Sequence, residues 1–341
     1  MSEYEAVIYQ GFNQLNPKDW DSFVEQSPQR SLFSKSWWLQ AMSSNRLEIL
    51  VLYKGQRIVA GMPMVRLHKY GYKKICMPGF TKMLGVLFEP PTSQKYTITL
   101  SNEMRILKEL VRSIPPFDNF TMNFHYSFNN WLPFLWAGYS QTTYYSYVIP
   151  DLTDLDKLWD NFSRTARTEI RKAEKAGIKV EESENIEECI HINTLTFGRQ
   201  SLSSPYHDKF VRILDDVCRR QKARKFFLAR DPQGRIHSMC YLVYDSMSAY
   251  ALMAGADPAL RNSSAQYLVW WTAIQSMSAL TRQFDFTGGS FFPNIESHLR
   301  NFGGILTPYY TISKDNTSTA KKLLLSSYKA VRNTWNKLTS L

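Results

Sequence analysis

The chain repeats one plan twice, and that repetition restricts its fold more than any single motif. Near the end of the first half stands GYSQTTYYS, Gly138–Ser146, and near the end of the second GGILTPYYT, Gly303–Thr311. Both read glycine, five residues, Tyr-Tyr, then Ser or Thr. A short helix is predicted before each, over 130–137 and 294–301, and before that a strand ending MNF (Met122–Phe124) or FDF (Phe284–Phe286). Earlier in each half comes a strand pair around a turn, ILVLYKGQRIVAGMPMV in one and FFLARDPQGRIHSMCYLV in the other. Each half opens with a helix bearing WDSF (Trp20–Phe23) or WDNF (Trp159–Phe162). Four features in the same order predict a tandem of two α/β units, 1–150 and 151–313, joined near Pro150 and followed by a basic amphipathic C-terminal helix over 314–341. A chain of 341 residues, 44% of them hydrophobic, has enough apolar material for two cores.

In the second unit the alternation of YYSYVI predicts a strand. Helices follow near 186–197 and 208–222, then strands over 225–230, 235–244 and 248–255. A helix starts near Ser264, a strand covers 284–287, a short helix 293–301 and a last strand 305–312. Strands with helices set between them indicate an α/β (α+β) class, each unit a mixed, mostly antiparallel sheet flanked by helices.

The net charge of +11 is local. Residues 1–150 hold 15 Lys+Arg against 10 Asp+Glu, residues 151–313 hold 20 against 19, and residues 314–341 hold 6 against 1. Patches are therefore basic, not the whole chain. Cys76, Cys189, Cys218 and Cys240 are scattered with no CxxC, and the six histidines form no HExxH, so no metal site is expected. MSEYEAVIYQ has no apolar core of a signal peptide and no run is long enough to cross a bilayer, so a cytoplasmic protein is expected. In the tail, Leu324, Tyr328, Val331, Trp335 and Leu338 recur at helical spacing among five lysines and arginines. Such a stripe either packs on its own domain or lies at the inner face of an anionic membrane, through 319–341.

NFSRTARTEIRKAEKAGIKV, Asn161–Val180, places Arg164, Arg167, Arg171 and Lys175 on one side of a helix. Phe162, Ala166, Ile170 and Ala173 form the opposite, apolar stripe, and Gly177 ends the helix. The ridge faces water or a polyanion. Arginine, whose fork pairs with phosphate, favours the polyanion.

TARTEIRKAEKAGIKV, GADPALRNSSAQYLVWWTAI and FDFTGGSFFPNIESHLRNFGGILTPYY resemble the BioF2-like acetyltransferase domain of the GCN5-related N-acetyltransferase superfamily. That domain is related to the Fem aminoacyltransferases, which add amino acids to peptidoglycan precursors and also carry two such units. The resemblance implies that the loop Arg261-Asn-Ser-Ser264-Ala265-Gln266 opens a helix whose N-terminus receives the diphosphate of acyl-CoA. Arg261, Ser264 and Ala265 are the donor-binding candidates, although Ser264 and Gln266 stand where the family keeps small residues. The alternative is a serine-capped helix with nothing bound. The family's tyrosine acid, four residues before the glycine, is replaced by Leu299; His298 is adjacent, and only Arg300 remains of the basic pair of Fem relatives. The first unit has Phe134 at that place and, in FTKMLGVLFEPPTSQ, no counterpart of Arg261.

Asp285, between the phenylalanines of FDF, either accepts a proton from an attacking amine or anchors the turn TGGS through its amides. Gly288-Gly289-Ser290 fails the G-x-S-x-G pattern at Phe292, which excludes that hydrolase class. The expected function is N-acyl transfer from acetyl-CoA or another acyl-CoA to an amine of an anionic cell-envelope precursor. Asp285 and His298 are the catalytic candidates, and Arg164, Arg167, Arg171 and Arg300 those for substrate. Aminoacyl-tRNA as donor, or a degenerate non-catalytic binding protein, are the alternatives.

Overall fold

The computed structural model describes residues 3–69, 71–198, 207–288, 292–319, 321 and 322. Most of the expected tail helix, 323–341, lies outside the described residues, as do Gly289 and Ser290. The chain divides into two compact units that are discontinuous in sequence. Unit 1 takes the chain up to Arg30, Ser43–Thr142 and the chain from Tyr310 onward; unit 2 takes Ser31–Met42 and Thr143–Tyr309.

The elements of the first half are β1 (Glu5–Tyr9), α1 (Pro17–Gln26), α2 (Ser36–Met42), β2 (Leu47–Lys54), β3 (Arg57–Lys69), β4 (Tyr72–Cys76), β5 (Leu87–Phe88), α3 (Tyr96–Ser113), β6 (Asn119–Asn123), α4 (Leu132–Trp136) and β7 (Ser140–Ile149). Those of the second are α5 (Leu155–Asn161), α6 (Arg164–Lys175), β8 (Lys179–Glu182), α7 (Ile186–Gly198), α8 (Asp208–Arg220), β9 (Arg224–Arg230), β10 (Ile236–Tyr244), β11 (Ser248–Ala256), α9 (Ala265–Met277), β12 (Gln283–Asp285), α10 (Pro293–Leu299) and β13 (Ile305–Asp315).

In unit 1, β1, β2, β3 and β4 form an antiparallel run, β4 pairs β6 in parallel, and β6 pairs the last residues of β13 antiparallel. Unit 2 has the same plan: β8, β9, β10 and β11 run antiparallel, β11 pairs β12 in parallel, and β12 pairs the end of β7 antiparallel. The repeat read in the sequence is thus a repeat of topology. Each unit is closed by a strand encoded near the end of the other half.

One face of the unit 2 sheet carries α6 and α9. Their stripes, Ala166, Ile170 and Ala173 on one and Leu268, Val269, Ala273 and Ile274 on the other, are buried with Phe162, Phe227 and Leu242. Helix α6 begins because the Ser163 hydroxyl accepts from the Ala166 amide at 3.0 Å. It ends because Gly177, at φ +76°, turns the chain so that the Ile178 amide reaches the Ala173 carbonyl at 3.1 Å. The other face carries α7, with Cys189 and Ile192, and α8, with Val211, Leu214 and Cys218.

Candidate active site

Strands β11 and β12 run side by side for only three residue pairs, the last being Tyr250 opposite Asp285. Past that point β11 runs on to Ala256 paired with β10 but not with β12. The gap opens a cavity of about 310 Å³ between the end of β11 and α10. Its walls are the Ala254–Pro258 segment, Gln266 and Trp270 of α9, Thr196 of α7, and Ile295, His298 and Leu299 of α10, with Arg261 at its edge. Apolar walls with a few directed polar groups suit a small acyl group.

The loop Arg261–Ser264 that enters α9 keeps the backbone that its sequence contradicts. Ser264 sits at φ +63°, the left-handed conformation natural to glycine, at a cost of roughly 1–3 kcal/mol. Its hydroxyl does not cap α9; it donates to the Glu169 carboxylate of α6. The Ala265 amide is instead capped by the Ser263 hydroxyl at 3.3 Å. Gln266 turns inward: with its amide oriented to satisfy its neighbours, its nitrogen donates to Ser238 Oγ and the Gly255 carbonyl while its oxygen accepts from Trp270 Nε1. A large side chain therefore stands at the family's small position without crowding the loop.

His298 is packed edge-on against Tyr267 (4.3 Å between centroids) and Phe302 (5.5 Å). Burial lowers its pKa to about 4, so it is neutral at pH 7, and its Nε2 has no hydrogen-bond partner among the described residues. It is the titratable imidazole of the cavity wall. Leu299 beside it is buried and offers no acid.

Asp285 lies apart from the cavity wall and is fully buried. It accepts from the Ser146 hydroxyl and, at 2.7 Å, from the Thr287 amide; the Thr287 hydroxyl in turn donates to the Ala251 carbonyl. This chain of bonds bridges β12 to β11 where their pairing stops. Nearby Tyr309 is pushed up to about 12 by burial and by the negative charge of Asp285. Arg300 is exposed and pairs with Glu296 at 3.6 Å, the same carboxylate that accepts from Tyr147.

Of the ridge on α6, Arg164 is exposed, Arg167 stands 3.8 Å from Asp160, and the Arg171 guanidinium lies 5.5 Å from the centroid of Trp159. The structure thus brings Arg261 and His298 to one cavity, places Ser264 and Ala265 at the start of α9 beside it, and leaves Asp285 beneath the strand junction. Glu169 was not singled out from the sequence. Its only signal there is an acid on the flank of the apolar stripe, away from the basic ridge.

A sheet split between β11 and β12, with a loop-to-helix junction at the split, defines an N-acyltransferase fold of the acetyltransferase class. Residues 160–292, most of unit 2, match the family model described as the acetyltransferase (GNAT) domain. Among solved structures, FemX is similar over 90% of this chain and 96% of its own, at 12% identity and TM-score 0.67. A tandem GNAT protein from the clavulanic acid biosynthesis pathway is similar over 93% and 99%, at 12% identity and TM-score 0.51. L-PGS from Bacillus licheniformis is similar over 92% and 96%, at 11% identity and TM-score 0.52. These likenesses extend the tandem architecture over nearly the whole chain. No curated protein matches it by sequence.

Proposed function

We propose that unit 2 transfers an acyl group to an amine of a cell-envelope precursor, with the acyl carbonyl seated in the cavity between β11 and α10. The cavity carries this reading: its apolar walls exclude water from the reacting carbonyl, and α10 supplies a neutral imidazole at the same place. Attack by the amine forms the amide bond and breaks the bond to the leaving sulfur or oxygen. The proton shed by the amine ends on that leaving atom. In this reading the neutral His298 accepts a hydrogen bond from the amine and does not supply a strong base.

Acyl-CoA as donor is supported by Arg261 at the cavity edge and by the α9 N-terminus. An aminoacyl-tRNA donor is supported by a different observation, the Glu169 carboxylate bonded to Ser264 where a diphosphate would otherwise approach. The likeness to FemX supports the envelope acceptor. Calorimetric titration of the protein with acetyl-CoA and with charged total tRNA distinguishes the donors. Binding of acetyl-CoA that weakens about tenfold in Arg261→Ala, the usual scale for a charged hydrogen-bonding partner, is the expected result. Binding of charged tRNA alone would select the second donor. Binding of neither would overturn acyl transfer.

The ridge on α6 is assigned to an anionic acceptor or to the tRNA. Reversing Arg164, Arg167 and Arg171 to glutamate is expected to weaken that ligand at least tenfold and to flatten its salt dependence, because three charge contacts are removed. The three side chains are largely outside the core, so the melting temperature is expected to stay within a few degrees of the parent's. Unchanged affinity at every salt concentration would mark the ridge as solvated surface.

A further inference from the structure

Unit 1 contains a cavity of about 210 Å³ beside α3, the helix that corresponds, through the internal repeat, to α9 of unit 2. In each unit a helix connects the two parallel strands: α3 between β4 and β6, α9 between β11 and β12. In unit 2 the cavity lies among the end of β11, Thr196 of α7, the loop entering α9, the first turns of α9, and α10. In unit 1 it lies among the loop entering α3 (Glu89–Thr92), the first turns of α3 (Tyr96, Thr99, Asn102, Glu103) and the loop that leads to α4 (Ser127, Asn129). The two cavities differ in their charged lining. Arg261, Asp257 and the neutral His298 line the one in unit 2. Glu89 and Glu103 line the other, and no lysine, arginine or histidine is among its described lining residues.

Burial raises the pKa of both carboxyls, offset only in part by Arg57 beside Glu89 and by a hydrogen bond from Asn130 to Glu103. Arg57 stands 3.1 Å from Glu89, which leaves Glu103 as the lining carboxyl with no cation beside it among the described residues. A half-buried carboxylate is stabilised by a cation brought to it. A second group points the same way. Gln29 is 7% exposed and lines the cavity. Its Oε1 accepts from the Ser27 hydroxyl and the Phe88 amide, while its Nε2 donates to nothing among the described residues. The cavity therefore offers a cation acceptor in Glu103 and a donor in Gln29. A diphosphate would meet two carboxylates and, among the described lining residues, no positive side chain.

We propose that the unit 1 cavity binds a small primary amine that also carries hydroxyl groups, an amino sugar or amino alcohol, with its ammonium on Glu103 and a hydroxyl oxygen on Gln29. This does not depend on the acyl-transfer reading, because the test measures binding alone. The probe is glucosamine, titrated at pH 7 into the full chain and followed by saturation-transfer NMR, with N-acetylglucosamine as the uncharged control. Glucosamine is expected to bind and N-acetylglucosamine to bind at least tenfold more weakly. Glu103→Gln, close in shape and neutral, is expected to weaken glucosamine at least tenfold. Should that variant melt early, Asn102→Lys places a competing ammonium in the cavity wall and is expected to block binding to the same degree. Failure of glucosamine to bind the parent, equal binding of the two sugars, or unchanged binding in both variants would overturn the assignment.

Discussion

Glu169→Ala is expected to tighten acetyl-CoA binding by about tenfold or more. The Glu169 carboxylate receives the Ser264 hydroxyl at the mouth of α9, where unpaired amides and the positive helix end would draw a diphosphate. Two like charges about 4 Å apart near a protein surface repel by roughly 4 kcal/mol, and each 1.4 kcal/mol is tenfold in affinity. Lys172, 3.5 Å from the same carboxylate, offsets part of that repulsion, so the smaller figure is the one to expect. Glu169→Gln separates charge from shape: it keeps an acceptor for Ser264 and should give the same gain. Ser264→Gly relieves the left-handed backbone strain but leaves the Glu169 charge in place, so it is expected to give little of this gain. Calorimetric Kd values for the three variants decide the matter. Affinities at or below the parent's in the two Glu169 variants would mean that Glu169 only pins α6 against α9.

Asp285→Ala is expected to be the most destabilising single change at the site. It leaves the Ser146 hydroxyl and the Thr287 amide without their buried acceptor, at roughly 1–3 kcal/mol for each. The loss should appear as a fall in melting temperature of several degrees or more. Transfer should fall with it, because Thr287 ties the end of β12 to Ala251 and so sets where the cavity opens. Asp285→Asn retains an oxygen in the same place and is expected to recover most of the stability and of the single-turnover rate. If Asp285→Asn instead kept the parent's melting temperature but slowed transfer about a hundredfold, the scale of a lost general base, the carboxylate would be shown to move a proton.

The architecture was legible because both halves spell it. The two Gly-x5-Tyr-Tyr segments, the strand pairs and the short helices before Gly138 and Gly303 appear in the order the sequence predicts. The apolar stripe of α6 was equally plain, since Phe162, Ala166, Ile170 and Ala173 follow the helical period and are all buried. What periodicity does not encode is partnership between distant residues. Nothing near Ser264 says that its hydroxyl turns to a residue 95 positions earlier. The bulk of Gln266 read as an obstacle, yet Ser238 and Gly255, brought near by strand pairing, draw its amide inward. Nor does local sequence show which way Asp285 faces: alternation put it opposite the two phenylalanines, while its role as acceptor for Ser146 depends on a strand from the first half. The acidic lining of the unit 1 cavity was hidden for the same reason. Glu89 and Glu103 lie on different elements, and EPPTSQ was notable only for lacking an arginine.

The crossed closing strands bear on how the protein is made. When the ribosome has released the first 150 residues, unit 1 still lacks the strand that pairs with β6, because that strand is the end of β13, Thr311–Asp315. The open edge of β6 must wait until more than 160 further residues have been synthesised, a delay on the order of 10–30 s at ordinary elongation rates. Neither half is a module that can be cut out at Pro150. The nascent chain carries an unpaired sheet edge through much of its synthesis, an interval in which a chaperone or a neighbouring chain competes for it.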